Sequence, residues 1–532
     1  MISQKYRALP LSQPSAQPRI YAFAYALPLL FIVPGGPIRA QDAPTVATPL
    51  AETISVPIDE KSVSDPVLRA VYARVKWQAI WSPAMASAFD TALGERDRHG
   101  LDRVAFQPPA MPEAGLADRD VALTKAALDY ASALAMGRVD PASLHQVYTL
   151  PRPKADLAAG LVKAMQSGGL AEWFASLAPQ DVEYRQLSDA YVRISQQASV
   201  AAPVQAIAEG LIRPGERDAR VPAIVGQLSD SGYLPAIPAA GDRLAPPPTP
   251  ALYTQAMADA IKRLQTDYGI AADGVVGRDT LKVLNLGLGD RARALAVALE
   301  RRRWLSRTTP ATRIDVNTAA AQLRYYRDDT LADERKVVVG EPGHETPGLS
   351  SPIYRLVANP TWTVPKSIQN GEMAAVDADY LQAHNMILRD GWIVQQPGPD
   401  NALGLVKFDM ANDQAIYLHD TSAPALFDRS QRHLSHGCVR VEDALGFARM
   451  LAEDEGVSAA WEAAQATGEM TFVPLPTRIP VRLLYHNVFV DSGGAVVFRT
   501  DPYGWNDPIA VQLGFVESAA RHAEAQSIDI GP

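Results

Sequence analysis

The chain has 532 residues, of which 47% are hydrophobic and 20% charged, with a net charge of −9 and a single cysteine. That length exceeds one hydrophobic core and implies about two to four domains. The acidic balance and the lack of a long basic stripe argue against nucleic acid as a partner, and one cysteine excludes both an intrachain disulfide and a cysteine-rich metal site.

The N-terminus carries Lys5, Arg7 and Arg19 with no acidic residue before Asp42. An apolar run from Ile20 to Val33 follows, then Ile38-Arg39-Ala40. This order reads as an export signal over 1–40, cleaved near Ala40. The alternative is an uncleaved anchor, against which Pro28 and the shortness of the run both count. The expected location is the periplasm, with no membrane span left after cleavage and the oligomeric state open.

A Pro/Thr/Ala-rich lead occupies 41–60. From 61 to 234 the pattern is helical, beginning with Leu68, Val71, Val75 and Ala79 and continuing through Val121–Ala135, Leu157–Met165 and Asp189–Ala198. It reads as a helical scaffold without chemistry of its own. His99 and His145 are expected to be structural or surface residues. Six prolines between 235 and 250 mark an extended linker. Arg301-Arg302-Arg303, the densest basic run, reads as a solvated helix face.

Residues 251–292 form a compact unit. Ala256, Ala260, Ile261, Leu264 and Tyr268 share a helical face. A glycine-rich loop from Gly269 to Gly277 leads to a second helix at Asp279. Gln265, Gly269, Asp273, Gly274, Gly277 and Thr280 are spaced as in a peptidoglycan-binding module, which this stretch resembles. The resemblance implies glycan contact around Asp273, Gly274, Gly277 and Thr280. The plainer reading is a helical hairpin with a tight turn.

After a return segment at 293–310 the period changes to two. Short strands are expected at Ile314–Val316, Val337–Val339, Ile353–Val357, Leu405–Phe408 and Ile416–Leu418. They define a β-rich domain over 311–476, interrupted by an insertion at about 365–400 in which Glu372–Asn385 is expected to be helical. An insertion beside a cleft is a natural lid. The remaining 477–532 should hold further strands at Val481–Tyr485 and Ala495–Arg499.

Cys438 lies in Ser435-His436-Gly437-Cys438-Val439-Arg440. An unpaired thiol in an exported protein is a liability unless it is used. His419, at the end of a strand Ala415–His419, is the expected base, with His433 as third choice and His436 as an orienting residue. A helix starting just after Cys438, with Glu442 and Asp443 in its first turn, is expected to lower the thiol pKa. Gly437 would free backbone N–H groups for an oxyanion. Two other readings stand beside this one: an inert buried thiol, and a zinc site built from His419, His433, His436 and Cys438, whose spacing fits no usual ligand pattern.

These residues resemble the L,D-transpeptidase family with a YkuD-type catalytic domain. Asn359–Pro365, Pro397–Gly404 and Tyr417–Thr421 resemble its large YcbB-like branch. The resemblance implies a multidomain α+β fold with a helical scaffold, a small three-helix module and a β-rich catalytic domain with a capping insertion. It implies a cysteine thioester mechanism acting on peptidoglycan stem peptides, with no metal or organic cofactor. Ser435, His436 and Arg440 would support the catalytic loop, and Trp362 and Tyr417 would line the cleft. An L,D-carboxypeptidase or endopeptidase with the same site, or a non-catalytic wall-binding protein, are the alternatives.

Overall fold

The structure, a computed structural model, describes residues 56–108, 114–200, 206–235 and 250–516. The expected export signal, residues 41–55 of the lead and residues 236–249 of the linker lie outside the described residues. No helix among the described residues is long and apolar enough to cross a membrane.

Six helices form the N-terminal bundle: α1 (Pro66–Arg74), α2 (Pro83–Gly94), α3 (Leu116–Met136), α4 (Leu157–Ser167), α5 (Leu170–Leu177) and α6 (Val182–Val200). Local chemistry sets their starts. Asp65 accepts from the Val67 and Leu68 N–H groups at 2.8 and 2.9 Å, and Pro66 occupies the first helical position. The face expected to run on to Ala79 stops at Arg74, because Lys76 and Trp77 turn the chain with positive φ. Phe89, Tyr130 and Phe174 pack against one another in the core.

The next unit has a core of its own. It contains β1 (Arg217–Asp218), α7 (Val221–Asp230), β2 (Ala251–Leu252), α8 (Gln255–Asp267) and α9 (Arg278–Leu284). Strands β1 and β2 pair antiparallel from opposite sides of the proline-rich stretch. Ile212, Val221, Ile224 and Leu228 are buried with Tyr253, Ile261, Leu264 and Leu284. The module therefore begins before the linker expected to precede it, and α7 belongs to it rather than to the scaffold.

Helix α10 (Leu288–Trp304) then returns through the bundle, with Leu295 to Leu299 almost inaccessible. The arginine run on it is not a solvated face. Arg303 is 0% exposed and donates to Glu300 (2.6 Å), Tyr184 (2.9 Å) and the His99 carbonyl (2.7 Å). Arg301 reaches Asn506 (2.7 Å) and the Trp505 carbonyl (3.0 Å), and Arg302 pairs with Asp181 and Glu183. Buried guanidinium groups persist because partners of opposite charge or carbonyl type meet them.

The third unit is a curled sheet built from β3 (Arg313–Asn317), β4 (Gln322–Arg327), β5 (Thr330–Gly340), β6 (Leu349–Ala358), β10 (Val406–Met410), β11 (Leu418–His419), β12 (His433–Ser435), β13 (Val439–Val441) and β14 (Thr471–Leu484). Their order is β12-β5-β13-β11-β10-β6-β14-β3-β4, and β4 also pairs with β5, which closes the sheet on itself. Helices α13 (Ala444–Asp454) and α14 (Ser458–Ala466) pack on its interior side through Phe447, Leu451 and Trp461. Strand β14 runs across the expected boundary at 476/477 and sits between β6 and β3, so the catalytic sheet extends to Leu484. The hairpin β15 (Val488–Val490) and β16 (Val496–Phe498) and helix α15 (Asn506–Gln512) place Val488, Ile509 and Leu513 in the scaffold core.

The insertion is a small body of its own. Strands β7 (Trp362–Thr363), β8 (Met386–Arg389) and β9 (Trp392–Gln395) form a three-stranded sheet, with α11 (Lys366–Asn370) and α12 (Ala378–Ala383) beside it. Val364, Met373, Met386 and Ile393 are its core. Only six residues of the expected helix at 372–385 are helical, since Gly371 ends α11 and Asp377 caps a new start.

Candidate active site

Parallel pairing of β11 with β13 places Leu418 opposite Val439 and His419 opposite Arg440. Side chains alternate across a strand, so Leu418 and Val439 point into the core while Tyr417, His419, Cys438 and Arg440 share the other face. The Val439 N–H donates to the Tyr417 carbonyl at 3.1 Å, which fixes the level of Cys438 beside Tyr417.

Cys438 is partly buried. Its sulfur faces the Ala415 carbonyl at 3.7 Å and adjoins the backbone and phenol of Tyr417. The phenol also adjoins the Trp362 indole, and Lys407 lies 4.2 Å from the centre of the Tyr417 ring. Burial pushes the thiol pKa up, opposed by hydrogen bonds from Tyr417 and by the charges of Lys407 and Arg440. The expected helix start is absent: Val439–Val441 is a strand, and α13 begins at Ala444 with Asp443 accepting from the Gly446 N–H. No helix N-terminus therefore lowers this thiol.

His419 is 5% exposed. Its Nδ1 lies 2.5 Å from the Asp420 carbonyl. A carbonyl only accepts, so Nδ1 carries the hydrogen and Nε2 is left with the lone pair. Burial, then the Arg440 charge, push the His419 pKa down to about 3. Burial thus favours the neutral form of both groups, with the lone pair of His419 on Nε2. Sequence reasoning missed the orienting role of the Asp420 backbone and the contact of Tyr417 with the sulfur. The alternation from Tyr417 to His419 was the available signal for the second.

Gly437 has φ +105°, a conformation that a side chain would strain. Its N–H is not free as expected, because it donates to Ser435 Oγ at 3.2 Å. Ser435 Oγ in turn donates to the Cys438 carbonyl at 2.6 Å, so Ser435 ties the turn together. Among the described residues no acceptor meets the Cys438 N–H, which leaves that donor for an oxyanion. Arg440 Nε is buried without a hydrogen-bond partner on the same face. His436 bonds Glu372 of the insertion at 2.7 Å. His433 bonds the Thr318 carbonyl at 2.9 Å and packs edge-on against Tyr503, which removes it as a base.

The four residues of the alternative zinc site do not converge. Among the described residues, the His/Cys/acid ligand atoms that gather within 4.8 Å are those of Glu341, His344 and His436. In the 251–284 module, Gln265 is buried and bonds Asp273 (2.9 Å), Thr280 (3.0 Å) and the Gly274 N–H (2.9 Å). The signature residues Asp273, Gly274 and Thr280 thus engage one another inside the turn. Gly277 starts α9. Gly274 and Thr280 are buried in these bonds, whereas Asp273 is exposed as well as bonded to Gln265.

Residues 311–463 match the family described as "L,D-transpeptidase catalytic domain". The match is to the YkuD-type catalytic domain and covers under a third of the chain. Residues 66–190 match a "Scaffold domain" and 217–284 a "Putative peptidoglycan binding domain", the latter beginning ahead of the linker as β1 and α7 do. A Haemophilus influenzae protein named "Putative L,D-transpeptidase" is 32% identical over 220 residues, covering 37% of this chain and 45% of the relative. The match thus spans under half of that relative's length. Among solved structures, an L,D-transpeptidase from Mycobacterium smegmatis is 11% identical with a TM-score of 0.19, covering 34% of this chain and 60% of that one. One from Stackebrandtia nassauensis is 14% identical with a TM-score of 0.20, covering 53% and 97%. Likeness at that level says nothing about activity. Cys438 and His419 both lie inside the YkuD domain.

Proposed function

We propose that this chain is a peptidoglycan L,D-transpeptidase of the large YcbB-like branch, working in the periplasm. The observation that carries the reading is one sheet face of the YkuD domain. It presents Cys438 beside Tyr417, and His419 with its Nδ1–H held by the Asp420 carbonyl.

His419 Nε2 takes the thiol proton as Sγ attacks the carbonyl of the third stem residue, meso-diaminopimelate. The Cys438 N–H receives the developing oxyanion. Because neither group is ionised at rest, proton transfer and attack belong to one event, and Lys407 and Arg440 stabilise the negative charge as it forms. The C–N bond to D-Ala breaks, D-Ala leaves with the proton from His419, and a thioester remains. An acceptor amine then attacks the thioester, its proton passes to His419, and the thiol is restored. The buried, unpartnered Arg440 Nε suits a substrate carboxylate. The 362–395 insertion caps the cleft, with Trp362 as its contact to Tyr417 and Glu372 as its contact to His436.

Carbapenem treatment tests this reading, since a strained lactam carbonyl mimics the donor. The expected result is a mass increase of one intact drug on Cys438, absent from Cys438→Ala. An unchanged mass with a titratable free thiol would contradict it.

A further inference from the structure

Strand β5 ends at Gly340, and the loop after it folds back beside the turn that carries Cys438. Glu341-Pro342-Gly343-His344 is a tight turn: the His344 N–H donates to the Glu341 carbonyl at 2.9 Å, and Gly343 has φ +91°. Proline second and a left-handed glycine third are the residue pattern of a type II turn, so the sequence itself brings the first and fourth side chains near each other. Backbone contacts pin this loop to the catalytic turn. The Glu341 N–H donates to the Ser435 carbonyl at 2.8 Å. Thr346 Oγ1 accepts from the Gly340 N–H at 2.9 Å and donates to the Gly437 carbonyl at 2.8 Å.

We propose that Glu341, His344 and His436 bind a divalent transition ion of the zinc class, which joins this loop to the catalytic turn and takes no part in the thioester chemistry. Their ligand atoms all lie within 4.8 Å of one another, Glu341 is half-buried, and both histidines are open to solvent. Glu341 Oε1 stands 3.4 Å from His344 Nδ1, long for a hydrogen bond. Two ligands held about 2.0–2.1 Å from a tetrahedral zinc lie about 3.3 Å apart, so this pair already has the spacing of neighbouring ligands. The ring centres of His344 and His436 are 4.8 Å apart.

His436 keeps Nε2 on Glu372 at 2.7 Å, which leaves Nδ1 for the ion. A carboxylate on the second nitrogen is the partner that a metal-bound imidazole ordinarily has, and it fixes the ring's orientation and tautomer. With the ion on Nδ1, the hydrogen stays on Nε2 and is donated to Glu372, so the same ion steadies the contact between insertion and turn. Two nitrogens among three ligands favour zinc-class ions over magnesium or calcium, which take oxygen. Three protein ligands leave the fourth position to water.

The test is calorimetric titration of the full chain with zinc chloride, with magnesium chloride as the control. The expected result is one zinc ion per chain and no magnesium. His344→Ala and Glu341→Gln should each weaken zinc binding by about tenfold or more, with the metal-free thermal midpoint unchanged. His384→Ala, which removes an exposed histidine of the insertion outside the cluster, should bind as wild type does. So should Cys438→Ala, which separates this site from capture of the ion by the thiol. Hydrogen exchange at the Glu341 and Gly437 amides should slow with zinc in wild type and not in His344→Ala. No binding, binding unchanged in both His344→Ala and Glu341→Gln, or binding lost in Cys438→Ala would each overturn the proposal. The titration needs no substrate, so the transpeptidase reading and this one can fail independently.

Discussion

At the level of single residues, burial holds both Cys438 and His419 toward their neutral forms beside the charges of Lys407 and Arg440. Burial raises the Cys438 thiol above its ordinary value of 9.0 and holds His419 down near 3. A thiolate–imidazolium pair would react with iodoacetamide at a rate that levels off near neutral pH. Here the alkylation rate should instead keep climbing past about pH 9, because the reagent reacts with the free thiolate and burial pushes its formation above the ordinary 9.0. A plateau below pH 7 in that profile would show an ion pair and contradict the geometry described. The candidates Cys438 and His419 stood out in the sequence, since a lone cysteine after glycine and a histidine ending a short strand each need an explanation. The helix dipole was not legible there: Val439-Arg440-Val441 is too short for period-two patterning to be separated from the helical face that follows. The Asp420 carbonyl was invisible because backbone acceptors carry no residue-type signature.

At the level of elements, a contact from Glu372 links the insertion to the turn that carries Cys438. His436 meets Glu372 at 2.7 Å, with Glu372 largely exposed. An exposed pair contributes little to stability, about 0–1 kcal/mol. Glu372→Ala should therefore leave the thermal midpoint almost unchanged, and on the proposal that the insertion caps the cleft it should raise KM for a stem-peptide donor several-fold. An unaltered KM would mean that His436 acts without the insertion. Strand and helix types were readable from apolar spacing, whereas boundaries failed where pairing is long-range. Strand β14 joins a sheet more than a hundred residues upstream in the chain, and β1 pairs with β2 across the proline-rich stretch. Nothing local in Thr471–Leu484 or Arg217–Asp218 announces those partners.

At the level of the whole molecule, α10 holds scaffold and C-terminal segment together through groups that composition alone assigned to solvent. Glu300 is 0% exposed and accepts from Arg303, Trp304 and the Val139 N–H. Removing it strands a buried guanidinium, so Glu300→Ala should cost about 3–5 kcal/mol in denaturant unfolding. A loss below about 1 kcal/mol would show that water replaces the carboxylate. Burial also pushes His99 and His419 down to about 3 and His145 and His433 to about 4, from an ordinary 6.5. Between those values the unfolded chain binds more protons than the folded one. Stability should hold above about pH 6.5 and fall as pH drops from there toward about 4. A thermal midpoint that stays level or rises over that interval would contradict this. The central claim is cross-link chemistry at Cys438, and it is tested most directly by mass spectrometry of disaccharide-tetrapeptide incubated with the protein, beside Cys438→Ala. The account predicts a dimer lighter by one D-Ala whose fragments show the third-residue linkage, absent with the variant. Unchanged substrate, or a product that persists with Cys438→Ala, would contradict it.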